Sequence, residues 1–179
     1  MKAILLAGGK GTRLRPLTSN LPKPIVPILD RPFLLYQLDL LRRVGSVDEV
    51  ILSLNYQPDR IEELIDSLPN LGLKIRYLVE PQPLGTAGAI RFALEFLEDT
   101  VIIFNGDVLA ELDLKAVLQF HRSRGANATI VLKPVENPSA YGLVEVDQDS
   151  NVKRFIEKPG NQKLACNTCL LYTSPSPRD

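Results

Sequence analysis

The chain has 179 residues, 45% hydrophobic and 23% charged, with 21 basic and 21 acidic residues. That length suffices for one domain with a real core, and a net charge of zero argues against a bulk electrostatic grip on DNA or RNA. The apolar run after Met1 stops at Gly8-Gly9, too short for a signal peptide or a membrane span, so a cytoplasmic protein with no membrane or nucleic-acid partner is expected.

Residues 2–7 read as a short buried strand ending at Gly8. From 33 to 44, Leu34, Leu38 and Leu41, with Leu35 and Val44, recur at helical spacing. Gly45 is the expected stop of that helix. Residues 49–54 predict the next strand. A helix over 59–68, started by Pro58 and Asp59, buries Ile61, Leu64, Ile65 and Leu68. Residues 74–79 predict a third strand. A helix over 86–97 turns Ile90, Ala93, Leu94 and Leu97 inward. The β-branched and aromatic run 101–105 is a strand. A helix over 113–124 takes Asp113 as its N-cap, and His121, the sole histidine, is read as a surface residue near its end. Residues 128–132 read as a strand, and 143–146 and 152–156 flank 147–151 as a hairpin. This alternation predicts an α/β fold, a Rossmann-like three-layer αβα domain with a mostly parallel, mixed sheet. Such sheets bind ligands beyond the carboxyl ends of their strands. The loops to watch therefore begin at Gly8, Glu80 and Asn105.

The first of these loops places Gly8, Gly9 and Gly11 in four positions, with Lys10, Arg13, Arg15 and Lys23 nearby. Backbone N–H groups freed by glycine can close on an anion or a flat base, and the cations suit a triphosphate. Two common phosphate motifs are excluded. A P-loop needs Gly-Lys-Ser/Thr, but Gly11 follows Lys10. The dinucleotide fingerprint needs a glycine where Leu14 stands, which removes a Rossmann-type oxidoreductase. Lys10 and Arg15 are read as solvated charges.

The longer string Gly8-Gly-x-Gly-Thr-Arg-Leu-x-Pro-Leu-Thr18, followed by Pro22-Lys-Pro24, resembles the signature of the sugar-phosphate nucleotidyltransferase family. The resemblance continues through Gly85-Thr-Ala-Gly88, Asn105-Gly-Asp107, Tyr141-Gly142 and Glu157-Lys-Pro159, and covers nearly all of residues 1–168. It implies an enzyme that joins a sugar-1-phosphate to a nucleoside triphosphate and releases pyrophosphate, with Mg²⁺ bridging the phosphates. By the same resemblance, Leu6, Ala7, Gly8, Gly9, Gly11, Thr12, Arg13, Glu80, Gly85 and Thr86 bind the nucleotide. Arg13, Lys23 and Asp107 carry catalysis. Lys23 bridges the reacting phosphates, and Asp107 is the metal ligand. Asn105, Gly142, Glu157 and Lys158 hold the sugar phosphate. A sensing subunit that binds nucleotide sugars without making them could lose Arg13, Lys23 or Asp107, yet all three are present.

Base choice turns on Glu80. Pyrimidine-specific members of the family usually carry glutamine at the matching position. An amide both donates and accepts, which suits a uracil or thymine edge, whereas an ionised carboxylate only accepts. Guanine offers two donors side by side, and charge-assisted bonds are the stronger kind. The expectation is GTP, with Gln82 as the alternative reader should Glu80 face solvent. Within the family the wording is most similar to members that transfer guanylyl groups to mannose-1-phosphate. Members acting on heptose-1-phosphate with GTP, or on glucose-1-phosphate with dTTP or UTP, come next.

After Pro159 the family continues into a strand with an Asn-Ala-Gly sugar motif and, further on, a second metal-binding aspartate. Residues 169–179 instead resemble a translated sequencing adapter and are set apart from fold reasoning as a non-native tail. On that reading, residues 1–168 are an incomplete nucleotidyltransferase domain, truncated on its C-terminal side, that binds GTP weakly and turns over poorly. The Cys166/Cys169 pair is then an accident of the junction rather than half a zinc site. Homo-oligomerisation is left open for the full-length protein.

Overall fold

The first apolar run becomes β1 (Lys2–Leu6), and it sits in the middle of the main sheet. The computed structural model describes residues 1–134, 142–157 and 171–172. Around β1 lie β4 (Glu49–Leu54), β5 (Lys74–Val79) and β6 (Ile102–Asn105). Among the described residues the sheet has five strands in the order β5-β4-β1-β6-β9, where β9 is Leu171–Tyr172. The pairs β1–β4, β1–β6 and β4–β5 are parallel, and β9 is antiparallel to β6. The mostly parallel, mixed sheet expected from the alternation is thus observed.

Helices cover both faces because side chains alternate along each strand. Ala3 and Leu5 of β1 join a core formed with Leu34, Leu38 and Leu41 of α1 (Phe33–Val44), Ile61 and Ile65 of α2 (Pro58–Asp66), and Leu114 and Leu118 of α4 (Leu114–Ser123). Ile4 faces the other way, into a second core with Ile51, Leu78, Ile103 and Ala93 of α3 (Gly85–Ala93). The helix terminators act as the sequence suggests. Gly45 closes α1 in the left-handed conformation at φ 78°, and Asp113 caps α4 by accepting from the Ala116 N–H. A short hairpin, β2 (Pro27–Ile28) and β3 (Arg31–Pro32), precedes α1. A second, separate hairpin pairs β7 (Gly142–Val146) with β8 (Val152–Glu157). Its turn is organised by the Asp147 carboxylate, which accepts from the backbone N–H groups of Asp149 and Asn151.

Three expectations are corrected. Residues 128–132 form no strand. Thr129 is buried against α4, and Val131 packs on the larger core, so side-chain packing rather than a ladder absorbs this β-branched run. His121 is not a surface residue: it is 6% exposed, and its Nδ1 shares a 2.9 Å hydrogen bond with the Thr129 hydroxyl. Leu94 is exposed, because α3 ends at Ala93 and tightens into the 3-10 turn Leu94–Phe96. The tighter winding carries Leu94 off the buried stripe.

Glu49 opens β4 and is 6% exposed. It accepts from Arg76 Nε at 2.6 Å, with Lys74 and Lys2 at 3.5 and 3.7 Å. Burial works against its charge, but Arg76, Lys74 and Lys2 outweigh that and hold its carboxyl below the usual glutamate range. A depressed carboxyl stabilises the fold above the ordinary glutamate pKa, and the contribution fades as pH falls through the lowered value. Glu49→Gln is expected to cost about 2 kcal/mol at neutral pH, the scale of a hydrogen bond to a charged group. It should also flatten the acid limb of stability. Urea melts from pH 7 to pH 3 check this, and equal stability of variant and parent at pH 7 would refute it.

Candidate active site

In the order β5-β4-β1-β6 the strands are added to one side of β1 and then, with β6, to the other, and the crevice of such a sheet opens at that switch in strand order. Here the ladder extends just past the strand ends. Ala7 N donates to Ser53 O at 2.8 Å, Glu80 N to Leu54 O at 2.7 Å and Gly106 N to Leu6 O at 2.8 Å. The three loops singled out in the sequence therefore emerge at the same edge of the sheet, those of Gly8 and Asn105 from neighbouring strands and that of Glu80 beyond the end of β4. Together they bound a cleft of about 480 Å³.

One wall is the glycine-rich turn. Leu6, Ala7, Gly8, Gly9, Gly11, Thr12 and Arg13 line the cleft. Gly11 sits at φ 61°, a conformation that favours glycine. A Cβ there would also lie 3.0 Å from Lys23 Cβ and 3.1 Å from Thr18 Cγ2. Buried Thr18 braces the turn from behind by donating its hydroxyl to Gly11 O at 2.7 Å. Arg13 is exposed and makes no ion pair among the described residues, so its planar fork is available to phosphate oxygens.

The opposite wall joins Lys23 to Asp107. Lys23 starts the 3-10 turn Lys23–Ile25, which is held in place by Pro22, Pro24 and the buried Ile25. Its Nζ reaches Asp107 Oδ2 at 2.6 Å across 84 residues of sequence. Asp107 stands two residues past the end of β6. Gly106 before it lies so close to β1 that an added Cβ would meet Leu6 O at 2.6 Å. Asn105 lines the cleft here as well.

The third wall carries Glu80, Gly85 and Thr86. Glu80 is 7% exposed, so it does not point to solvent, whereas Gln82 is exposed. Its Oε1 accepts from the buried Ser53 hydroxyl at 2.7 Å, and its Oε2 accepts from Leu84 N at 2.9 Å. Asn55 Nδ2 donates to the Glu80 carbonyl at 3.0 Å. The carboxylate is thus fixed at the edge of the cleft.

Nearly every nucleotide and catalytic residue read from the sequence converges on this cleft. Of the residues read as holding the sugar phosphate, Asn105 lines it too. Gly142 pairs in register with Glu157 at one end of the β7–β8 hairpin, and Gly142 is not among the residues that line the cleft. Lys158 lies outside the described residues, as do Cys166 and Cys169. Sequence reasoning missed Thr18, Ser53 and Gln37. Gln37 carried a signal, since it falls inside the apolar stripe of α1 yet is polar.

No group of three or more His, Cys, Asp or Glu side chains is placed to hold a metal ion among the described residues. Asp107 alone still fits Mg²⁺, which takes hard oxygen ligands and often one or two carboxylates plus phosphate oxygens and water. Among the described residues no helix is long and apolar enough to cross a membrane.

Comparison with known proteins agrees with this geometry. The family model for nucleotidyl transferase matches residues 2–173. Mannose-1-phosphate guanylyltransferase 1 of Arabidopsis thaliana is 44% identical over 165 residues, covering 89% of this chain and 45% of that protein. The chain therefore spans less than half the length of the curated relatives it matches. Among solved structures, HddC from Yersinia pseudotuberculosis, complexed with GMP-PN, is 33% identical with a TM-score of 0.76, covering 96% of this chain and 75% of that one. A UDP-glucose pyrophosphorylase complexed with UDP-glucose shares the fold, with a TM-score of 0.83 at 18% identity over 96% of this chain and 75% of that one.

Proposed function

Because this chain belongs to the nucleotidyl transferase family, we propose that its cleft binds GTP and a sugar-1-phosphate, mannose-1-phosphate first, and joins them into a GDP-sugar. A phosphate oxygen of the sugar attacks the α-phosphorus, the bond to the β-phosphate bridging oxygen breaks, and pyrophosphate departs with its electron pair. The observation that carries this reading is the meeting of the glycine turn, Lys23 and Asp107 at the β1/β6 crevice, with a buried carboxylate at the far wall.

The backbone of Gly8, Gly9 and Gly11 would cradle the nucleotide, and Arg13 would neutralise the departing pyrophosphate. Lys23 would leave Asp107 for the reacting phosphates. Asp107 would hold Mg²⁺, which when bound supplies charge neutralisation across the phosphate oxygens. Asn105 stands beside this point, where the sugar phosphate would enter, and Gly142, Glu157 and Lys158 would hold the sugar.

Glu80 supports guanine. Its two oxygens offer about four acceptor positions, and Ser53 and Leu84 occupy two. The remaining two would take the adjacent N1–H and 2-amino donors of guanine. A uracil or thymine carbonyl at the same place would face a negative charge. The pyrimidine alternatives are also less favoured because the curated relatives are guanylyltransferases.

The test is a panel of GTP, ATP, UTP and dTTP against several sugar-1-phosphates, using the full-length protein and following pyrophosphate release. GTP with mannose-1-phosphate is expected to lead. Glu80→Gln should narrow the preference for GTP over UTP by about tenfold or more, the worth of charge-assisted hydrogen bonds. An unaltered preference in that variant would sink the base assignment.

A further inference from the structure

The middle of α1 holds a residue that packing alone does not account for. Gln37 is 2% exposed, on the helix face that also buries Leu34, Leu38 and Leu41. Its Nε2 donates to two backbone carbonyls, Asn105 O at 2.9 Å and Val108 O at 2.8 Å. These are the two ends of the turn that carries Gly106 and Asp107. Val108 N closes the same turn onto Asn105 O at 3.2 Å. The other amide atom, Oε1, is buried with no partner among the described residues.

An unmet buried acceptor costs free energy, and an apolar side chain of the same shape would avoid that cost. The amide is therefore explained by what its donor end holds. The turn is gripped from two sides. Gly106 presses against β1 through its N–H to Leu6 O, and Gln37 ties both flanking carbonyls to α1. Between the two grips stands Asp107.

We infer that Gln37 is a positioning residue that sets the Asp107 carboxylate for divalent-metal binding by clamping the 105–108 turn. The inference rests on the reading of Asp107 as the metal-holding group. Mg²⁺ demands near-ideal octahedral geometry at short distance, so a carboxylate on a loosened turn forfeits affinity. Groups that orient a metal ligand from behind are worth 10- to 100-fold in metal affinity.

The test compares the full-length protein with Gln37→Met, which keeps length and flexibility but removes both donors. Two readouts are used. Amide hydrogen exchange of residues 106–108 in the metal-free protein is expected to quicken about tenfold or more as the clamp opens. The Mn²⁺ concentration that half-saturates the GTP complex, followed by electron paramagnetic resonance, is expected to rise about tenfold or more, while metal-free GTP affinity stays the same. Leu38→Ala serves as the packing control on the same helix: it should lower the melting temperature and leave metal affinity alone.

Unchanged exchange and metal affinity in Gln37→Met would overturn the inference. So would an equal loss of metal affinity in Leu38→Ala, because general loosening of α1 would then suffice. Should Gln37→Met not fold, Gln37→Asn, which keeps the amide but shortens its reach, carries the same expectation. Asp107→Asn separates the two levels. If it removes metal dependence while the Gln37 variants do not, the clamp fails alone. If it has no effect, the reading of Asp107 fails and takes the clamp with it.

Discussion

Asp107→Ala is expected to lower turnover by the full-length protein about a thousandfold, the scale of removing a main electrostatic stabiliser from a phosphoryl-transfer site. The fold should survive. The Lys23–Asp107 pair is partly open to solvent, with side-chain exposures of 27% and 45%, and such exposed pairs contribute about 0–1 kcal/mol. A large loss of activity with a small loss of stability is therefore the signature of a functional carboxylate rather than a structural one. Calorimetry supplies the direct reading, since the magnesium-dependent part of GTP binding should vanish while a weaker metal-independent part remains. Unchanged magnesium dependence would remove Asp107 from the site and would leave the 2.6 Å contact with Lys23 as an ordinary ion pair.

Gly106→Ala should be the most damaging of the small substitutions. Its added methyl would stand 2.6 Å from Leu6 O, 3.0 Å from Ala7 Cα and 3.1 Å from Ala7 Cβ. Two of those three atoms are backbone at the centre of the sheet, so no side-chain rotation relieves the clash. The turn must withdraw from β1, breaking the Gly106 N–H to Leu6 O bond and displacing Asp107. Overpacking of this kind costs about 1–3 kcal/mol, and this site is expected at the upper end. Gly9→Ala is the matching control for stability, because nothing lies within 4 Å of the Cβ it would gain. Denaturant melts of the two variants should differ by about 2 kcal/mol or more. Equal melts would show that β1 and the 105–108 turn are looser than their spacing implies.

Parts of this fold are legible residue by residue. The helix over 33–44 and the strands over 49–54 and 74–79 take the bounds their patterns imply, because apolar spacing and stop signals are local properties. The misreadings share one cause. Residues 128–132 have strand composition but no ladder among the described residues, and a ladder requires a neighbour that composition does not supply. His121 follows Leu114 and Leu118 at helical spacing, so the buried stripe included it. Its polarity suggested solvent, and Thr129 supplies the partner that makes burial tolerable.

The chain by itself determined the αβ alternation and the glycine-rich, cation-bearing segment after the first strand, since these rest on short-range pattern. Only tertiary structure decided that Lys23 and Asp107 touch, that Glu80 is fixed by Ser53 and Leu84 rather than free in solvent, and that Gln37 grips the turn carrying Asp107. Those pairings depend on which strands lie side by side and on how helices pack across them. That is a matter of three-dimensional fit between segments far apart in the chain, to which no local spacing is sensitive.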